Sequence, residues 1–188
     1  MEPSLILDPA SARGLLQGHK TQLRVAAGHR LGELAQGARI YGREPCAPGR
    51  MQNGSELLTD LARADFVVFA DGWRRARDGT GWQGRPPLDP NEMWIGALHM
   101  PAWACRIVLE LRDLRKEYLH DVTPDALRAE GLIPLIGGLL WHWPKPVPGL
   151  HLSARRAFAA NWDITHPVPG LRWADNPQVL VLDVKLAG

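Results

Sequence analysis

The chain has 188 residues, 45% of them hydrophobic, which suits one domain of the usual size, roughly 100–200 residues, with enough apolar mass for a real core. Its 22 basic and 20 acidic residues leave a formal charge of only +2. That balance excludes a polybasic, histone-like mode of binding, so any nucleic-acid footprint must be a local patch. Cys46 and Cys105 are far apart and belong to no C-x-x-C or Cys/His pattern, so neither a disulfide framework nor a zinc site is expected. The histidines His142, His151 and His166 lack metal-ligand spacing, and no metal or cofactor is assigned. The start of the chain has no basic segment before its short apolar run Leu5–Leu7. No window approaches the roughly 20 apolar residues of a membrane helix. A soluble, cytoplasmic protein without a membrane partner is expected.

In chain order, Pro9 to Gly18 predicts a short helix, with Asp8 or Ser11 as its cap and Gly18 as its stop. Residues His19 to Arg24 have extended character, and Gly37 to Glu44 alternates as a strand should. Phe66 to Ala70 predicts a short strand buried on both faces. Residues 71–96 then hold many glycines and prolines, the tryptophans Trp73, Trp82 and Trp94, and the basic Arg74, Arg75 and Arg77. This composition predicts a long, ordered loop insertion without regular elements, bordering the functional site, since such rings are depleted in disordered segments.

Ala104 to Leu111 is the clearest strand by alternation. Asp121 to Gly131 predicts a helix with Thr123 at the N-cap, Pro124 in the first turn and Gly131 as terminator. Glu130 then falls in the last turn, where a carboxylate opposes the helix dipole, a hint that it has another task. Residues 133–151 are again rich in Pro and Gly, with Trp141 and Trp143. Ser153 to Trp162 predicts a helix, and Gln178 to Leu186 a final Val/Leu-rich strand. Strands and short helices mix without a βαβ rhythm, which indicates an α+β class with a small barrel or curled sheet.

Five segments in order resemble the ASCH family of the PUA-like superfamily, in its prophage-associated form. They are Gly18-His19-Lys20-Thr21-Gln22-Leu23-Arg24, residues 37–44, Trp94 through Ile107, Asp121 through Gly131, and the closing Asn161-Trp162-Asp163 with Trp173 through Pro177. The resemblance implies one PUA-like domain over residues 1–188: a small β-barrel with flanking short helices. It also implies a cleft for single-stranded RNA or a modified nucleotide or nucleoside. Some family members are amidohydrolases of N4-acylcytidine, with a threonine nucleophile, an activating lysine and a glutamate. By position the lysine is Lys20 and the glutamate Glu130, while the threonine's place is taken by Leu23.

Two readings follow. One is a binding module in which Lys20 and Glu130 line the cleft. The other is a hydrolase, an N4-acylcytidine amidohydrolase or a ribonuclease, using Lys20, Thr21 and Glu130 as catalytic residues. Arg24, Arg43 and Arg106 are candidates for holding phosphate, and His99 for donating to a ligand. Trp82, Trp94 and Trp103 are candidates for stacking a base.

Overall fold

A computed structural model describes residues 2–86, 93–142 and 150–187. In chain order the elements are β1 (Ser4–Ile6), α1 (Pro9–Leu16), β2 (Gln22–Ala26), β3 (Arg39–Arg43), β4 (Cys46–Gln52), β5 (Ser55–Leu58), β6 (Phe66–Phe69), β7 (Trp73–Ala76) and β8 (Gly81–Gln83). There follow β9 (Ile107–Tyr118), α2 (Pro124–Ala129), β10 (Ile133–Leu135), β11 (Leu140–His142), β12 (Leu150–His151), α3 (Ala154–Thr165) and β13 (Gln178–Leu186). Strands dominate, with three α-helices among the described residues, so the class is α+β. Two compact units emerge: residues 1–13 with 40–108, and residues 14–39 with 109–188. None of the described helices is long and apolar enough to cross a membrane.

In the first unit β1 runs parallel to β3, and an antiparallel sheet has the order β5-β4-β6-β7-β8. As expected, Phe66–Phe69 is buried along its whole length. Cys46, Val67, Phe69, Met100 and Ala104 form a core cluster, with Trp73, Ile95 and Trp103 packed against it. The expectation that residues 71–96 lack regular elements is corrected here. β7 and β8 form a hairpin closed by Asp78-Gly79: Gly79 takes φ +90°, and the Asp78 carboxylate accepts from Thr80 N at 2.8 Å. An Asp-Gly pair between extended segments is a strong hairpin signal, but three arginines hid the alternation around it. Trp82 packs edge-on to Phe66 at 5.3 Å between ring centroids and donates from Nε1 to Glu56. The remainder of the expected insertion at 87–92, including Pro87 and Pro90, lies outside the described residues, as does Trp143.

In the second unit β13 pairs antiparallel with both β2 and β9. A separate antiparallel sheet has the order β10-β11-β12. One side chain set, including Leu119, Leu127, Trp141, Phe158, Trp162, Val179 and Val181, forms the core between β13 and the helices α2 and α3. Strand β9 continues to Tyr118 instead of stopping at Leu111, past a register shift opposite Asp183/Val184. Its charged second half reads as loop in isolation. It is a strand because Arg115 meets Glu117, Asp113 and Asp183, so the polar face is satisfied. The expected small barrel is not closed in either unit: among the described residues no ladder returns from the last strand of a sheet to its first.

Gly49 of β4 sits directly across from Phe66, and a Cβ there would meet the Phe66 ring at 2.6 Å. Gly49→Ala is therefore expected to lower stability by about 1–3 kcal/mol through overpacking. A urea unfolding midpoint equal to that of the unaltered chain would contradict this packing.

Candidate functional site

Lys20 is placed by the end of α1. Gly18 takes φ +72°, and the backbone amides of His19 and Lys20 both donate to the Gly14 carbonyl, at 2.9 and 3.0 Å. The Lys20 stem then passes two glycines: a Cβ at Gly14 would lie 3.1 Å from Lys20 Cβ, and one at Gly131 would lie 3.5 Å from it. Gly131 itself has φ +93° and terminates α2, so it is the left-handed backbone that calls for glycine there, while a Cβ would meet the lysine stem only at ordinary contact distance.

Glu130 arrives by the local logic read from the sequence. Thr123 caps α2, its hydroxyl accepting from Ala126 N at 3.2 Å, and Pro124 occupies the first turn. Leu127 anchors the helix in the core. Glu130 is the C-cap. Lys20 Nζ donates to the Glu130 carboxylate at 2.7 Å and to the Glu130 backbone carbonyl, also at 2.7 Å, across 110 positions of sequence. One cation thus answers both the carboxylate and the negative end of the helix, which removes the conflict the sequence suggested.

Arg24 adds a second cation. Its NH1 donates to Glu130 Oε1 and to Gln22 Oε1, both at 2.8 Å, and its NH2 lies 3.4 Å from Glu117. Gln22 continues the chain of contacts to Asp183, which pairs with Arg115. Burial works against the Arg115 charge, but hydrogen bonds to Glu117, Asp183 and Asp113 outweigh it and push its pKa above the ordinary value. Lys20, Gln22 and Arg24 converge because alternate residues of an extended segment share a face. The side chains of Lys20, Glu130 and Arg24 are only 6%, 5% and 2% exposed. Arg24 Nε is sealed from solvent with no hydrogen-bond partner among the described residues.

Thr21 and Leu23 stand apart from this cluster. Leu23 is buried in the core at 6% exposure, so the position that the resemblance aligns with a threonine carries a packing residue. The Thr21 backbone joins α2 to β13, through Thr21 N to Ala129 O at 2.8 Å and Val184 N to Thr21 O at 2.9 Å. Its side chain is exposed, and its hydroxyl makes no hydrogen bond among the described residues.

The remaining expected site residues belong to the first unit. Arg106 is engaged by Glu44 through two bonds of 2.8 and 2.7 Å and by Asp71 at 2.8 Å, and lies 4.0 Å from the Phe69 ring centroid. Arg43 donates to the carbonyls of Leu98 and Met100. His99 is exposed in the short turn Ala97–His99, and Trp94 and Trp103 are half-buried. Gln22, Arg115, Glu117 and Asp183 escaped the sequence reading. Their signal was there: Asp183 is a charge flanked by apolar residues in β13, and Arg115 and Glu117 sit two positions apart on β9. Compared with known proteins, the chain matches no family model, no curated protein and no solved structure.

Glu130→Gln leaves two buried cations beside a neutral amide and is expected to cost about 3–5 kcal/mol of stability. In a double-mutant cycle with Lys20→Met the two positions should couple by about 1–3 kcal/mol, since they share one contact. Additive effects on the urea midpoint would refute a direct Lys20–Glu130 interaction.

Proposed function

We propose that this chain is a PUA-like domain of ASCH type that binds single-stranded RNA or a modified nucleotide beside Lys20, Arg24 and Glu130. The order of the five sequence motifs and the strand-rich α+β build support the family half of the reading. The observation that carries the binding half is Arg24: a guanidinium oriented by Glu130 and Gln22, with a sealed Nε–H that has no acceptor among the described residues. An unpaired buried donor costs about 1–3 kcal/mol and calls for an explanation, of which an acceptor supplied from outside the chain is one. A base carbonyl or a phosphate oxygen has the required chemistry, and the Phe158 ring, 5.9 Å from the same guanidinium, offers an apolar neighbour.

Hydrolysis has weaker support. Lys20 and Glu130 are in contact as an activating pair requires, but a hydroxyl nucleophile must lie within hydrogen-bond reach of its base. The exposed Thr21 hydroxyl makes no such bond, and Leu23 has none to offer. Binding without chemistry is therefore the conclusion drawn.

Affinities of the full chain for a short RNA strand and for the same sequence as duplex, at one salt concentration, test this reading. The single strand is expected to bind more tightly, and N4-acylcytidine to be turned over slowly or not at all. Tighter duplex binding would sink the proposal. Brisk turnover abolished by Thr21→Val would hand the site to the hydrolase reading. Leu23→Thr is expected to lower stability by about 1–3 kcal/mol without creating activity, because it buries a hydroxyl in the core instead of aiming it at Lys20.

A further inference from the structure

The arginines of the first unit are held in two different ways. Arg106 is neutralised by Glu44 and Asp71, and Arg74 by Glu56 at 2.9 Å. Arg43, Arg75 and Arg77 instead donate to backbone carbonyls. Arg43 reaches Leu98 O at 3.0 Å and Met100 O at 3.1 Å; Arg75 Nε reaches Trp103 O at 3.1 Å; Arg77 reaches Ala64 O at 2.7 Å and Leu61 O at 3.3 Å. Among the described residues none of these three forms a salt bridge with a carboxylate. A carbonyl orients a guanidinium without cancelling its charge, and each group keeps further N–H donors.

These groups share one neighbourhood. The Trp103 carbonyl takes Arg75, and the Arg77 guanidinium lies 5.1 Å from the Trp103 ring centroid. Arg43 and Arg75 both act electrostatically on the thiol of Cys105, two positions beyond Trp103. Glu44 also acts on that thiol, but its two oxygens are occupied by Arg106. Arg75 lies in β7 and Arg77 in the turn that follows it, and both guanidinium groups meet at Trp103, one at its carbonyl and the other at its ring.

We infer that Arg43, Arg75, Arg77 and Trp103 form a contact surface for the phosphodiester backbone of single-stranded nucleic acid, separate in composition from the Lys20 cluster. Oriented, uncompensated guanidinium groups beside an indole match a strand whose charges repeat and whose bases stack. The choice of nucleic acid as the polyanion rests on the function proposed above; the arginine arrangement does not.

The test is fluorescence anisotropy of the full chain with a labelled oligouridylate across a salt series, with inorganic polyphosphate as a parallel probe. Arg75→Ala combined with Arg77→Ala should weaken strand binding roughly tenfold or more. It should also reduce the slope of log K against log salt by about 1.4, near 0.7 for each lost phosphate contact. Arg75→Lys with Arg77→Lys should keep the slope, which separates lost charge from lost folding. An unchanged slope in the alanine variant, with the unaltered chain still binding, overturns this inference and leaves the Lys20 reading standing. Arginine-dependent binding of polyphosphate by a chain that ignores the oligonucleotide overturns the nucleic-acid assignment at both places.

Discussion

The Glu130 carboxylate is the point on which the second unit depends. It receives Lys20 on one oxygen and Arg24 on the other, and so ties the end of α2 to the segment that becomes β2. Burying charges of this kind is expensive, several kcal/mol for each ion, and is offset only when geometry and hydrogen bonding are close to complete. Here almost every requirement is met. Lys20 serves the carboxylate and the helix end together, and Gln22 passes the contacts on to Asp183. The exception is one Arg24 donor, and an exception in so well-satisfied a network carries more meaning than it would at the surface.

The same residue type serves opposite purposes elsewhere. Arg106, clamped between Glu44 and Asp71 over the Phe69 ring, is internally neutralised and acts as a fastener. Arg43, Arg75 and Arg77 are fixed in direction but not in charge. Composition cannot separate these cases, since a net charge near zero is compatible with arginines that are all paired or with a few left uncompensated. The distinction arises in the acceptor: a carboxylate cancels the field of a guanidinium, whereas a carbonyl only aims it.

For function, the placement of Thr21 and Leu23 matters as much as that of Lys20. An extended segment sends alternate side chains to opposite faces. The face carrying Lys20, Gln22 and Arg24 is given to the polar cluster, and Leu23 goes to the core. A lysine and a glutamate in contact, without an aligned hydroxyl, lack the nucleophile that acyl transfer requires.

The sequence by itself determined the local features. Thr123, Pro124 and Gly131 specify where α2 begins and ends, Asp8 caps α1 through Ala10 and Ser11, and the Val/Leu alternation specifies β13. Each rests on a preference expressed within a few residues, so each could be read without knowing the neighbours. The motif order also brought Lys20 and Glu130 into one argument. Only the tertiary structure decided the rest. Residues 112–118 of β9 are strand because partners on β13 and on β9 itself satisfy their charges, and no local pattern announces a partner 68 positions away. The hairpin of β7 and β8 was hidden in the same way, because Arg74 reads as a surface charge until Glu56 receives it. A buried charge is legible only together with what neutralises it, and that pairing is a property of the fold.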